Sequence, residues 1–344
     1  MRKKAILLGN GKRQGVLQGV ETLRPEIESE VDVVASDFED KLDLSEIEAD
    51  LAIVFGGDGS VLRAVRQMNE RQLPVLSVNL GTLGFLASLN PDEVGAFLRS
   101  DAFRNFEVRD RRLLICSTWR RVLDGKVDST VKVGNCERSS GCGCGSENCG
   151  DFLVPVSSAS TLKNWAAPSN WNPGSTDRVC VASRLVVNEA AFLAGPPFTT
   201  ATLDLAIDGA RVTTFRGDGL IVATPVGSTG HSLSAGGPIL RNDLDAVLVM
   251  PLSPQTLNFR PVIDSASRVY EMRALAGEVY LVIDGESRQK LTPDDLVVVR
   301  KAPFSFRMIN VPSNRYYRNL QRKLGWATDA LACSRDFFDA KWSK

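Results

Sequence analysis

The run Leu51–Val65, LAIVFGGDGSVLRAV, passes from an apolar stretch into an amphipathic one and sets one carboxylate, Asp58, among Gly56, Gly57 and Gly59. Glycine loses more conformational freedom on folding than any other residue, so three around one acid mark a place where something must come close to the backbone. A helix is expected to begin near Ser60, and its first N–H groups, with those of the glycines, would welcome an anion such as a phosphate chain. Asp58 would repel bare phosphate. The acid becomes useful if it holds Mg²⁺ or takes a proton from an attacking hydroxyl. The turn lacks the lysine and spacing of a Walker loop, and it is not G-x-G-x-x-G, which argues against a Rossmann dehydrogenase. Taken alone it fits an Asp-capped strand-to-helix junction as well as it fits a site.

Two further stretches carry candidate chemistry. GDGLIVATPVGSTGHSLSAGGPIL, from Gly217 to Leu240, offers hydroxyls and open amides in one run, and its flanks suit a ligand-lined wall better than a linker. His231, the only histidine, lies within it, either as a hydrogen-bonded structural residue or as a ring packed on a ligand. RLVVNEAAF interrupts an apolar strand with Asn188 and Glu189. An adjacent amide and carboxylate can grip two ribose hydroxyls or the edge of a base; a polar strand end is the plainer reading of that pair.

The elements that must position these residues fall into two groups. In the first third, KAILLGN, VDVVASD, LAIVFGG and LPVLSVNLG read as strands. VLQGVETLRPEIE reads as a helix interrupted near Pro25, SVLRAVRQMNE as an amphipathic helix, and NPDEVGAFLRS as a helix capped by Asn90. Alternation of this kind implies an open, mostly parallel α/β sheet over residues 1–108, with ligands beyond the carboxyl ends of its strands. FGGDGS occupies such an end. From Arg109, strand-like runs (RRLLICSTW, ASRLVVNEAAF, ATLDLAIDG, GLIVATP, AVLVMPL, EVYLVIDG, DLVVVRKA) follow one another without long helices. They predict a mostly β domain over 109–312, a sandwich or layered sheet. The basic, aromatic tail NRYYRNLQRKLGW opens a C-terminal arm, 313–344, able to return to the first domain.

Lys plus Arg and Asp plus Glu number 41 each, so no net field draws the chain to nucleic acid or an acidic membrane. No apolar run approaches the ~20 residues that span a bilayer, and the apolar start meets Gly9 too soon for a signal peptide. A soluble, cytoplasmic protein is expected. The segment at about 125–182 is rich in Gly, Ser, Asn, Cys and Trp and exceeds the ~12–15 residues of an ordinary structureless loop. It reads as a disordered insertion into the second domain, with a partner-binding loop as another reading. A zinc site at Cys136, Cys142, Cys144 and Cys149 is the sharper alternative, although Cys-x-Cys without paired Cys-x-x-Cys knuckles matches structural zinc poorly.

GGDGS (56–60), NLGTLGFL (79–86), VVNEAAF (186–192), DGLIVATPVGST (218–229), SLSAGGP (232–238) and PLSPQTLNFRPVI (251–263) together resemble the NAD kinase family in order and character. The resemblance covers nearly the whole chain outside the Cys-rich segment and the ends. It implies transfer of the terminal phosphoryl of ATP, or of inorganic polyphosphate, to the adenosine ribose 2′-hydroxyl of NAD, giving NADP, with Mg²⁺ or another divalent cation as cofactor. It assigns Asp58 as the catalytic carboxylate beside a nucleotide- and phosphate-binding turn of Gly56, Gly57, Gly59 and Ser60. It assigns Asn188, Glu189, Arg216, Asp218, Thr229, Gly230, His231, Ser232, Leu233 and Ser234 to NAD, and a homodimer or homotetramer as the assembly. Two positions depart from the family's pattern. Thr229-Gly230-His231-Ser232 stands where Thr-Ala-Tyr-Ser is usual, a change a base-stacking ring tolerates, and Glu286 stands where Gln is common. Two alternatives are a lipid kinase of the diacylglycerol or sphingosine type, which shares G-G-D-G, and an NAD-binding sensor whose turnover is impaired.

Overall fold

The computed structural model describes residues 2–81, 84–86, 89–121, 178–256, 258–311 and 316–325. Of the segment 125–182, residues 178–182 are described, and the four clustered cysteines lie outside the described residues. The first part of the chain alternates strands and helices: β1 (Lys3–Gly9), α1 (Val16–Glu30), β2 (Val31–Asp37), β3 (Leu51–Phe55), α2 (Asp58–Met68), β4 (Pro74–Val78), α3 (Val94–Arg99) and α4 (Asp101–Arg104). β3 and β4 are buried along their whole length, as strands covered on both faces must be. The four strands pair in parallel in the order β2-β1-β3-β4.

α1 differs from the sequence expectation. It runs unbroken through Pro25, because Val16, Val20, Leu23 and Ile27 form one buried stripe on both sides of the proline. A mid-helix proline costs about 3 kcal/mol, and burying four such side chains at about 1.5–3 kcal/mol each outweighs it. α2 begins at Asp58 rather than near Ser60, which places the acid in the first turn of the helix. Asn90 and Glu93 form a capping box, the Asn90 N–H donating to Glu93 Oε2 at 2.7 Å, ahead of α3.

The second part is antiparallel: β5 (Val108–Arg121), β6 (Arg178–Val186), β7 (Glu189–Ala194), β8 (Ala201–Ile207), β9 (Ala210–Gly217), β10 (Gly219–Ala223), α5 (His231–Ser234), β11 (Ala246–Leu252), β12 (Val262–Ser265), β13 (Tyr270–Ala276), β14 (Val279–Ile283), β15 (Ser287–Leu291) and β16 (Asp295–Ile309), followed by α6 (Tyr316–Leu324). β7, β10, β11, β12, β14 and β15 form a six-stranded sheet in the order β12-β11-β10-β7-β14-β15. The others extend the parallel sheet into a ten-stranded one, and β16 is the joint. Arg307 and Met308 pair in parallel with Pro74 and Val75 of β4, while Val297–Val299 pair antiparallel with β13. The two sheets face each other across a core in which Leu203, Phe215, Tyr270 and Val297 meet Phe192, Val222, Val247 and Leu281. An α/β part with a mostly parallel sheet followed by a layered β part is the fold class expected from the sequence.

RLVVNEAAF does not form the single interrupted strand the sequence suggests. β6 belongs to the ten-stranded sheet and β7 to the six-stranded one, and Asn188 and Glu189 stand where the chain crosses between them. β9, β12, β13 and β15 lacked a run that announced them: β12 is short, β9 and β15 are rich in polar residues, and the Glu, Met, Arg, Ala and Leu of β13 favour helix by propensity.

Phe306 of β16 is fully buried in a cluster that also holds Val61, Leu62 and Val65 of α2 with Leu185, Val187 and Val226 from the second part. Phe306→Ala is expected to cost about 3–5 kcal/mol. It should lower the midpoint of one common urea transition; two separated transitions would contradict a shared core.

Candidate active site

The turn after β3 is shaped by contacts that leave no room for side chains. Gly56 adopts φ +126° and donates its N–H to Val78 O at 2.9 Å. A Cβ there would overlap Ser60 Oγ. Gly57 precedes α2 as its N-cap, and Asp58 follows in the first turn. The Asp58 carboxylate is held by the loop beyond β4: Oδ2 accepts the Phe85 N–H at 2.7 Å and Oδ1 the Leu86 N–H at 2.9 Å. Gly84 lies so close that a Cβ would overlap Oδ1. Ser77 Oγ donates to Leu86 O at 2.8 Å and ties that loop to β4. Two cations attend the turn. Lys323 Nζ, from α6, lies 3.8 Å from Asp58 Oδ2 and 3.9 Å from the centre of the Phe85 ring. The Arg13 guanidinium lies 3.7 Å from the place a Cβ of Gly59 would take.

The opposite wall is built where β6 gives way to β7. Asp284, in the turn between β14 and β15, accepts the N–H groups of Val187 (3.1 Å), Asn188 (2.7 Å) and Glu189 (3.1 Å). Its own N–H donates to Glu189 O at 3.0 Å. Thr224 closes the other side: its N–H donates to Asn188 O at 2.8 Å and its Oγ1 to Val187 O at 2.7 Å. Gly227 packs on this corner so tightly that a Cβ would overlap Asn188 O. A Cβ at Gly230 would stand 3.2 Å from Glu189 Oε2 and 3.5 Å from Asn188 Nδ2. Asn188, Glu189 and the turn leading into α5 therefore meet at one corner. Ser232 is buried, while His231 and Ser234 are exposed and Thr229 and Leu233 are half-buried.

Glu189 is 5% exposed, and its Oε2 has no hydrogen-bond partner among the described residues. Burial, and then the charge of Asp284, push its carboxyl up to about 8, against the opposing pull of the His231 N–H. With Oε2 open, the acid is a ready partner for a ligand hydroxyl. Ser232 Oγ is likewise buried without a partner among the described residues.

The two walls are one body. Val61, Leu62 and Val65 of α2 pack with Val187 and Val226, and Arg66 of α2 pairs with Glu286 at 2.6 Å. Glu286 thus bridges the walls through an arginine. Arg216 and Asp218 lie elsewhere. Along β10, Ala223 is opposite Glu189 and Gly219 is opposite Leu193, so Asp218 stands about 16 Å along the strand from the Asn188 corner. Both residues are exposed, and within one chain they stand apart from the Asn188 corner. Sequence reasoning missed Asp284, Gly84, Arg13 and Lys323. IDGES contains Asp284, but an acid whose partners are backbone N–H groups of a distant strand leaves no local pattern.

The ATP-NAD kinase N-terminal domain matches residues 13–100, and the ATP-NAD kinase C-terminal domain matches residues 187–311. The chain belongs to the NAD kinase family. It is a phosphotransferase, and the reaction of the family is the phosphorylation of NAD. The chain is 38% identical over 326 residues to the NAD kinase of Rhodopirellula baltica, covering 94% of this chain and 87% of that protein. It is 32% identical over 280 residues to the NAD kinase of Geobacter sulfurreducens, with 81% and 79% covered. Among solved structures, yeast NADH kinase complexed with NADH superposes with a TM-score of 0.70 at 20% identity, covering 97% of this chain and 90% of that one. An Archaeoglobus fulgidus NAD kinase in complex with ATP gives a TM-score of 0.62 at 23% identity, covering 94% and 98%. These two show a common fold. The lipid-kinase reading has no counterpart among these NAD kinase relatives, and the segment 101–186 lies outside both matched domains.

The raised carboxyl of Glu189 has a consequence for stability. A folded value near 8 above an ordinary 4.5 gives a contribution that is complete below about pH 4.5 and lost as pH rises through 8. Glu189→Gln lacks that titration. The variant should gain stability relative to the parent between pH 5 and pH 9 in urea titrations, and a constant difference would show that Glu189 ionises as an ordinary acid. Gly84→Ala is expected to push Asp58 off its two N–H donors and slow NAD phosphorylation about a hundredfold. Its melting temperature should change by no more than a few degrees; normal turnover would mean the carboxylate needs no such seat.

Proposed function

We propose that Asp58 receives the 2′-hydroxyl of the adenosine ribose of NAD, and that the terminal phosphoryl of ATP enters over the Gly56–Ser60 turn. Asn188, Glu189 and the run Thr229–Ser234 would hold the dinucleotide. The observation that carries this reading is shared packing: α2, with Asp58 at its start, lies in one apolar cluster with Val187, the residue before Asn188 and Glu189, and its Arg66 pairs with Glu286. Phosphoryl transfer passes through a loose transition state, so alignment and charge stabilisation matter more than a strong base. The acceptor hydroxyl sheds its proton late. Asp58, with both oxygens already taking N–H bonds, is suited to orient that hydroxyl and accept the proton as the new P–O bond forms. Glu189, buried and with its Oε2 open, would bind ribose hydroxyls.

Among the described residues no three acidic, His or Cys side chains gather as a metal cage. The donor set fits a Mg²⁺ carried chiefly by the phosphates of ATP, because the Asp58 carboxylate keeps two of its roughly four lone-pair positions for one more partner. Bound there, the ion would neutralise charge on the transferring phosphoryl. Arg216 and Asp218 are assigned to NAD by resemblance to the family alone. A cytoplasmic homo-oligomer completes the reading. Val262 and Ile263, adjacent and 52% and 54% exposed on the edge strand β12, support self-association, and among the described residues no helix is long and apolar enough to cross a membrane.

The test is NADP formation from NAD, ATP and Mg²⁺ by the purified protein. Asp58→Asn should lower turnover about 10²–10⁴-fold and leave the NAD dissociation constant within a few-fold. Equal turnover would remove Asp58 from its role, and NAD binding without NADP in the parent protein would favour the impaired sensor.

A further inference from the structure

A polar cleft lies beneath α6, lined by Phe85, Arg109, Arg111, Asn242, Asn310 and Tyr316 among others. Its base is the joint between the parallel and antiparallel parts. Arg109 and Arg111 are two apart on β5, opposite Met308 and Phe306 of β16, so their side chains leave the same face of the strand. Arg111 is half-buried, and its Nε has no hydrogen-bond partner among the described residues. The nearby acid, Asp243, is engaged by Arg241 at 2.8 Å. Burial, and next the charge of Arg109, pull the Arg111 guanidinium below its usual range. A cation so placed gains from an anion on both counts, in hydrogen bonds and in charge.

Phe85 connects this cleft to the reacting carboxylate. It lines the cleft, its N–H holds Asp58, and its ring lies under Lys323 Nζ. Lys323 comes from α6, the helix that also supplies Tyr316 to the cleft, and Leu320 of that helix is buried at 2% exposure. A single carboxylate ligand would be satisfied by one arginine. Two arginine forks and a lysine near the acceptor acid suit an anion that spreads several negative charges over a length.

We propose that the cleft under α6 binds the oligophosphate chain of the phosphoryl donor, with Arg109 and Arg111 on the phosphates remote from transfer and Lys323 on the phosphoryl nearest Asp58. The proposal rests on the assignment of Asp58 as the acceptor's acid. A nucleoside triphosphate and inorganic polyphosphate share this chemistry. The chain is what the cleft reads.

The experiment is calorimetric titration of the full-length protein, without NAD, using tripolyphosphate and ATP as separate probes. Both should bind, more weakly as salt rises. Arg111→Gln should weaken both probes about tenfold or more while the NAD dissociation constant stays within twofold. Arg111→Lys, which keeps the charge, should recover part of the loss. Lys323→Met should lower kcat more than it raises the donor KM. Undiminished tripolyphosphate binding in Arg111→Gln and in the Arg109→Gln/Arg111→Gln double variant, both folded by circular dichroism, would overturn the proposal. So would ATP binding with no measurable tripolyphosphate binding. Turnover with polyphosphate in place of ATP then separates the two donors: NADP from both means that the chain alone suffices, and NADP from ATP alone means that adenosine adds a contact outside the cleft. If Arg111-dependent tripolyphosphate binding is seen but no donor yields NADP, the cleft stands and the Asp58 reading falls; NADP formation without such binding removes the cleft alone.

Discussion

A carboxylate taken fully out of water must be given other partners, and Asp284 takes three in a row from the backbone of Val187, Asn188 and Glu189. Those residues are where the chain leaves one sheet for the other, and a crossing of that kind strips backbone N–H groups of their ladder partners. One side chain answers both needs. Desolvation still raises the Asp284 carboxyl above the ordinary range, so its hold on the corner offsets burial without abolishing it. The same charge helps to raise Glu189, which leaves the corner with an acid that is inexpensive to protonate and short of a partner. A ligand with hydroxyls to offer meets a site already shaped for it.

The Asp58 turn follows a similar scheme on the other wall. Backbone N–H groups from a separate loop fix the carboxylate, and glycines at positions 56 and 84 exist because a side chain at either would collide with Ser60 or with Asp58 itself. A side chain held by main-chain donors has little rotamer freedom left to lose when a substrate arrives. The acid is preorganised at the start of α2, with Lys323 and Arg13 close by, so negative charge developing on a transferred phosphoryl would find cations on two sides.

The walls hold their relation through packing rather than through a hinge. α2 shares one apolar cluster with Val187 and Val226, β16 runs from one part of the ten-stranded sheet into the other, and Arg66 of α2 pairs with Glu286. Each contact couples the Asp58 turn to the Asn188–Glu189 corner. A disturbance in either wall is felt in the other, which suits a reaction whose rate depends on alignment.

The strands of the first part could be read directly from the chain, since buried parallel strands are near-continuous apolar runs, as β3 and β4 are. The glycines around Asp58 and the Gly/Ser run before and within α5 were also legible, because their compositions are costly unless something approaches the backbone. Asn188 and Glu189 were visible as an interruption but not as a change of sheet, since the local pattern of an apolar strand is the same on either side. Asp284, Gly84, Arg13 and Lys323 had no signal of their own. Their roles are contacts between residues as far apart as Asp58 and Lys323, and only the closed fold decides which side chains share a space. Local sequence determined which segments bury and which expose their backbone; the meeting of those segments, through one shared sheet and one shared core, was decided by the tertiary structure, because packing energy depends on neighbours that sequence order does not supply.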